Sequence, residues 1–507
     1  MERKSFWNRW AEPVQFPRLR GEERAEVAVI GGGITGMTLA HELAEEGRSV
    51  VLLEARKIGG GTTAHSTGNL YSTIEQGLAS LESKYDAGIA KDVVLSRTKA
   101  IDHIEGLIRE QNISCGFVRR PWVFYTTEPS KNQQIESEIG AAQTAGLTAD
   151  ETEVPDLPWA VSSAMRIEHQ AQFNPLQYVQ GLANSDRGEA LRIFEESPVA
   201  EVKEESDEVQ LVTPEGVVRA DQVVYATHTP KGKWIAFHSS LSPHREYGVT
   251  ATLNSGNYPE GIFWGYHEEQ SKFSIRSTTT DGVKEIMVVG QPHRVGQHGD
   301  NREYISNLQQ FMEQRFDIRE FTNNWGGQNY KSPDMLPYIG RLKSYPRRYI
   351  ATGFSTDGLV WGTLAALVIR DQICERENRW SDLYSPNRLH PHKSAREVLK
   401  ESVNVGKEFF LKSLPFVRDD TSFTSIENGE GKIIEKEGQK IAAYRTPEGD
   451  LKLNSAICPH MGCTVQWNQL ESSWDCPCHA SRFETDGSVI EGPSLHALGE
   501  IRGEKEI

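Results

Sequence analysis

The stretch EVAVIGGGITGMTLAHELAEEGRSVVLLEA, residues 26–55, decides how the first part of this chain folds. It opens with a short β-rich run that ends at a glycine turn. The apolar spacing then predicts an amphipathic helix over about 34–46 and a second strand over 49–53. Gly47 is placed to end the helix. Gly31, Gly33 and Gly36 stand at the G-x-G-x-x-G spacing. In that setting Gly31 permits a tight turn, Gly33 lets the backbone approach a pyrophosphate, and Gly36 allows close helix–sheet packing. The helix N-terminus offers amides and partial positive charge to phosphates. Glu54 ends the second strand, where its carboxylate can accept hydrogen bonds from an adenosine ribose. A glycine triplet alone would be weak; strand, turn, helix, strand and terminal acid together read as a dinucleotide site. The acid disfavours a 2′-phosphate and leaves FAD and NAD both open.

The next segment, GGGTTAHSTGN at 59–69, is rich in glycine and small hydroxyl residues. Thr62, Thr63 and Gly68 leave the backbone accessible, and His65 is its only titratable side chain. Directly after the second strand, such a segment can cross a flavin.

Residues from about 24 to 390 resemble the D-amino-acid oxidase-like family of FAD-dependent oxidoreductases. The resemblance is carried by Gly31, Gly33, Gly36, Glu54, Thr62, Thr63, His65 and Gly68. It continues in YATHTP at 225–230, WGGQNYKSPDMLPYIG at 325–340 and ATGFSTDGLVWGTLAA at 351–366. It implies FAD and oxidation of a C–N bond in a primary or secondary amine or an amino acid. Gly353, Gly358 and Gly362 match the region that closes over the flavin, and Asp334 precedes a stretch that supports its pyrimidine edge. Some similar proteins attach FAD through a histidine at the position of His65. Close relatives often carry a Lys–Trp pair where this chain has Thr356 and Asp357.

Between these motifs, VTATL, GIFWGY, KFSIRS and KEIMVVG within 245–290 alternate as strands. That run is too long for a crossover loop and reads as a separate sheet roofing the flavin. The expected fold is therefore α/β: an FAD-binding Rossmann-like (glutathione-reductase-like) domain interleaved with an antiparallel-sheet substrate domain. The nucleotide parts are expected at about 24–95, 160–235 and 340–385, and the substrate parts at 96–159 and 236–339. Asn174 and Pro175 predict a capped helix start. Candidates for substrate contact are Arg276, Tyr266 and Tyr330, with His267, His293 and Arg294 behind them and Trp325 as an aromatic wall. No strong nucleophile is required, because the cofactor carries the redox chemistry.

After 390 the composition turns polar, and 391–423 reads as a linker, with VGKEFFLKSLPF at 405–416 as an amphipathic docking piece. An all-β domain is expected over 424–507. Within it lie CPHMGC at 458–463 and CPCHAS at 476–481. Two thiolates and two imidazoles emerge there from paired loops. Such a set suits a [2Fe–2S] cluster, with zinc as the other reading. The two motifs resemble those of the Rieske iron–sulfur family. That resemblance implies Cys458 and Cys476 on one iron, His460 and His479 on the other, and a disulfide between Cys463 and Cys478. It also matches Ser481 to a hydrogen bond on a cluster sulfide and Gly492–Pro493 to a shielding loop. Ala480 stands where glycine is common. Similar domains carry the histidines on exposed loop tips, the expected edge for electron transfer.

The 507 residues carry 71 acidic against 55 basic side chains, a net −16, which opposes binding to nucleic acid or anionic membranes. Six cysteines, four of them within 458–478, do not make a secreted framework. No signal-peptide core precedes Pro13 and no apolar run spans a bilayer, so a cytoplasmic location is expected. The combined expectation is oxidation of a small amine or amino acid. Electrons would pass from flavin through the cluster to an external acceptor such as ferredoxin or a quinone. The alternatives are an oxygen-using oxidase with a structural or redox-sensing Rieske domain, a reductase running the other way, and a non-enzymatic electron-transfer protein.

Overall fold

The computed structural model describes residues 5–501 except 11–13, 186, 233–234, 239, 268–271, 281, 298–299, 389–400, 402 and 407–422. The opening stretch folds as β1 (Gly21–Ile30), α1 (Ile34–Glu45) and β2 (Val50–Leu53). The parallel β1–β2 pairing needs a crossover helix. That helix is α1, whose buried side includes Met37, Leu39 and Leu43. The remaining parallel strands are Gly216–Tyr225 and Tyr345–Thr352 on one side and Leu191–Phe194 on the other. The helix Gly358–Ile373 packs on α1. Gly362 makes this possible, since a Cβ there would sit 2.5 Å from Thr35 Oγ1.

The second sheet runs Ile318–Lys331, Ser242–Leu253, Val283–Arg294, Lys272–Thr280, Ile262–Tyr266, Val118–Thr126, Ser163–Gln172 and Asn69–Leu70. The expected sheet of 245–290 is there, antiparallel except that Ile262–Tyr266 runs parallel to Val118–Thr126. Ser163–Gln172 was expected with the nucleotide part. It pairs instead with Val118–Thr126 in this sheet, where Ala164, Met165 and Ile167 are buried. One helix, Ala87–Glu110, runs unbroken through the position taken as the first boundary. Asn174 caps the helix Pro175–Asn184, its Oδ1 accepting from the Leu176 and Gln177 amides.

The two faces of the second sheet have different partners. Tyr247, Phe273, Ile275 and Val288 join the core that includes Leu308 and Phe311 of the helix Arg302–Glu313. The opposite face covers the loop after β2: Trp325 Nε1 donates to His65 O at 3.0 Å and Arg276 Nη1 to Thr67 O at 2.7 Å.

The C-terminal domain contains two small antiparallel sheets, Gly431–Lys436, Gln439–Arg445 and Leu451–Ser455, then Gln466–Asn468, Ser473–Asp475, Arg482–Phe483 and Val489–Glu491. Most of the expected linker, including most of the 405–416 piece, lies outside the described residues. Within it, Glu401 pairs with Arg294 at 2.8 Å. Among the described residues, no helix is long and apolar enough to cross a membrane.

Candidate functional site

The glycines build a cradle that side chains would fill. Gly31 has φ +107°, and a Cβ there would meet Ala226 O at 2.5 Å. A Cβ on Gly36 would lie 1.9 Å from Gly31 O. Thr63 Oγ1 accepts from the Ile34 amide at 3.0 Å. Glu54 stands beside this turn, accepting from the Gly32 amide at 2.7 Å and the Arg56 amide at 2.9 Å. Gly358, the first residue of its helix, faces open space, and Gly353 has φ +78°. Thr356 Oγ1 is buried with no hydrogen-bond partner among the described residues. Open glycine edges, a helix start and an acid at the end of the second strand are the features FAD binding requires.

The loop beyond the cradle is held from three sides. Thr62 Oγ1 lies 3.1 Å from His228 Nδ1. His65 Nδ1 donates to Gly61 O at 2.8 Å, and burial lowers the pKa of this ring. Gly68 (φ +71°) is closed in by Phe173 O. Asp357, at the position where relatives differ, takes the Tyr71 hydroxyl and the Glu75 amide, 3.6 Å from Arg97.

The predicted substrate residues do not assemble. Arg276 is 3% exposed, lies over the Trp7 ring and binds the Thr67 carbonyl. It braces the loop from the sheet. Tyr330 is also buried; its hydroxyl donates to Gly492 O, at the C-terminal domain. His267 bonds Tyr125 in the far core and His293 stacks on Tyr304, while Arg294 pairs with Glu401. Asp334 holds Arg388 at 2.8 Å. Tyr266 lies beside Phe124, with Lys131 over its ring.

In their place the roof carries a charged group that sequence reading missed: Glu75, Glu246, Lys272 and Lys331. Lys331 Nζ pairs with Glu75 Oε1 at 2.6 Å. Lys272 donates to Glu75 O at 3.0 Å and lies 4.2 Å from the Trp264 ring centroid. Glu246 is pushed up to about 7, first by burial and then by the charge of Glu75. Strand alternation was the available signal. Glu246 opposes Gly327, and Lys272 opposes Tyr266.

In the C-terminal domain Cys463 and Cys478 are disulfide-bonded, with Cα atoms 6.5 Å apart, joining the two loops. Cys458 and Cys476 are free and buried, and their thiols share a hydrogen bond. Three sulfurs, those of Cys463, Cys476 and Cys478, also crowd together. Two of them are spent in the disulfide, so this trio is not the donor set. The imidazole rings of His460 and His479 lie 5.0 Å apart. His479 Nδ1 is buried and without a hydrogen-bond partner among the described residues. Two paired thiols and two paired imidazoles on the same two loops are the donor types a Rieske cluster takes. Ser481 Oγ accepts from the Ser494 amide at 3.0 Å and its hydroxyl also reaches Cys458.

The histidine tips are not exposed. Both are 4% accessible because the cluster loops dock on the flavin module. His460 Nε2 lies 3.0 Å from His238 Nδ1. Gln328 Nε2 donates to Ala480 O at 3.1 Å, His228 Nδ1 meets Glu491 Oε1 at 3.1 Å, and Arg245 pairs with Glu471.

The model of the FAD dependent oxidoreductase family (DAO) matches residues 26–372, and that of the Rieske [2Fe-2S] domain matches residues 420–502. A "Putative Rieske 2Fe-2S iron-sulfur protein YhfW" of Bacillus subtilis (strain 168) is 29% identical over 500 residues, 98% of this chain and 97% of its own. Mitochondrial dimethylglycine dehydrogenase of Homo sapiens is 24% identical over 68% of this chain and 42% of its own. Among solved structures, L-proline dehydrogenase from P. horikoshii superposes with a TM-score of 0.59 at 20% identity, over 73% of this chain and 98% of its own.

Proposed function

The chain belongs to the FAD dependent oxidoreductase family and carries a C-terminal Rieske [2Fe-2S] domain, and from that premise we propose that it dehydrogenates a small amino acid or amine, its electrons leaving through the Rieske domain. Bound FAD supplies two-electron oxidation of a C–H bond next to nitrogen, and a Rieske cluster carries electrons singly. Gly31, Gly33, Gly36, Glu54, Thr62, Thr63, His65, Gly68, Gly353, Gly358 and Gly362 hold the flavin. Cys458, His460, Cys476 and His479 hold the cluster.

The roof residues do the rest. Lys272 and Lys331 hold a substrate carboxylate, and Glu246 takes the amine. The rings of Trp264, Tyr266 and Phe124 exclude water beside them. The substrate loses two electrons and two protons and departs as an imine, which water hydrolyses. Positioning and desolvation account for the rate without a covalent nucleophile. The likeness to dimethylglycine dehydrogenase and L-proline dehydrogenase, both named for nitrogen-bearing substrates, supports this substrate class.

One observation carries the relay. The strand Ile318–Lys331 touches both sites: Trp325 binds His65 O, and Gln328, three residues on, binds Ala480 O between His479 and Ser481. Anaerobic addition of amines and amino acids, followed by absorption and EPR, tests the reading. Cluster reduction should keep pace with turnover. A bleached flavin beside a cluster that stays oxidised would leave oxidase activity, with electrons going to oxygen.

A further inference from the structure

We propose that His238, a residue of the flavin module, is a positioning residue of the iron–sulfur centre, holding His460 with its Nδ1 turned to the cluster. The inference requires only that a cluster occupies this site, and it holds whichever acceptor takes the electrons.

The argument follows the protons around two rings. His238 Nε2 lies 2.8 Å from Pro230 O. A carbonyl oxygen only accepts, so Nε2 carries the proton. A ring with its proton on Nε2 offers the lone pair of Nδ1 to a neighbouring donor, and His238 is only 3% exposed. Its Nδ1 is therefore a bare lone pair. His460 Nε2 lies 3.0 Å from that lone pair and must donate to it. A neutral imidazole that carries its proton on Nε2 has Nδ1 free of hydrogen, the form in which a metal can be bound. The chain Pro230 O, His238, His460 thus selects one tautomer of His460 and fixes its ring plane.

The fit extends to the second candidate ligand. The His238 ring centroid lies 4.6 Å from that of His460 and 6.0 Å from that of His479. All three rings are nearly inaccessible, so water does not replace His238 as the acceptor. An acceptor on the far nitrogen of a ligating histidine makes that ligand more electron-donating. His238 therefore favours the oxidised cluster. Because it sits on the flavin module, the properties of the cluster depend on how the two domains dock.

The test uses the full-length protein loaded with both cofactors, as wild type, His238→Phe and His238→Asn. Phenylalanine fills the space without an acceptor. Asparagine places a carbonyl oxygen near the position of Nδ1. Iron, sulfide and FAD contents are measured together with the EPR g-values and the midpoint potential of the cluster. His238→Phe should raise the potential and shift the g-values, and His238→Asn should restore both towards wild type. Proton ENDOR on unaltered, reduced protein moved into D2O gives a measure independent of either variant. The His460 Nε2 proton should exchange slowly. An unchanged potential and spectrum in His238→Phe, an equal shift in His238→Asn, or loss of that proton within seconds would each overturn the assignment.

Discussion

Glu246 sets opposite demands on stability and on catalysis. Burial and the neighbouring Glu75 charge raise its carboxyl from 4.5 to about 7. The native state then holds the proton more tightly than the unfolded chain. The stability this supplies is complete below about pH 4.5 and is lost as pH rises through 7. Its proposed role needs the ionised form, so kcat/KM should rise through about pH 7. Glu246→Gln should flatten that limb, lower kcat/KM about tenfold or more, and melt above wild type at pH 8. A pH–rate profile beside a thermal melt reads both signs, and an unchanged limb would remove Glu246 from the site. Gly31→Ala makes a second demand of this kind. A Cβ 2.5 Å from Ala226 O at φ +107° forces strain of roughly 1–3 kcal/mol into the cradle. FAD content after dialysis should fall about tenfold, with the cluster retained. The cradle glycines were legible because their spacing lies within one strand–turn–helix. Tyr330 was read as a substrate contact and Trp325 as an aromatic wall, yet five residues along one strand place them on opposite faces. The period-2 rule could have separated them.

The strand Ile318–Lys331 shows why the remaining site residues were hard to read. Its Gly326–Gly327 pair thins the strand on both sides. A Cβ on Gly326 would meet Arg245 Nη2 at 2.5 Å, and one on Gly327 would meet His65 O at 3.0 Å. The sequence displays two glycines; only the sheet shows that one admits the arginine bound to Glu471 and the other the flavin loop. Likewise, Glu246 comes within reach of the Lys272 charge only because their strands flank Val283–Arg294 in the sheet. The Cys–His spacing needed no such assembly, since each loop brings its own cysteine and histidine. Gly327→Val should displace the 59–69 loop and lower FAD occupancy while cluster iron is kept; equal loss of both cofactors would mean that the sheet itself had failed. In the other domain, Cys463 and Cys478 are 15 residues apart, and a loop of that length gains about 3 kcal/mol from closure. Cys463→Ser/Cys478→Ser should lose about that much in chemical denaturation followed by cluster absorption. A loss below about 0.5 kcal/mol would show that the loops are held by other means.

Across the whole molecule, the two domains meet through carboxylates that gain from being charged. For Glu471, burial works against the anion, but Arg245 and Arg482 outweigh it and leave the carboxyl at about 2. Glu491 also stands at about 2, burial being overcome by the His228 bond, then by Arg482 and Arg245. Both lie below their usual 4.5, so their stabilisation is present above that pH and lost as pH falls from about 4.5 towards 2. The loss falls at the docking surface, whereas the parallel sheet and its helices rest on apolar packing. The interface should therefore open before either core melts. Small-angle scattering should show an increase in radius of gyration between about pH 4.5 and 3 while far-UV circular dichroism holds steady. Glu471→Gln/Glu491→Gln should show the larger radius already at pH 7, and its cluster should be reduced more slowly by substrate. Slower reduction follows because the contacts of Gln328 and Tyr330 with the cluster loops exist only while the domains are docked. If the double variant stays compact and reduces its cluster at the wild-type rate, these acids are not what holds the domains together, and the contacts of Gln328, Tyr330 and His238 with the cluster loops carry the docking.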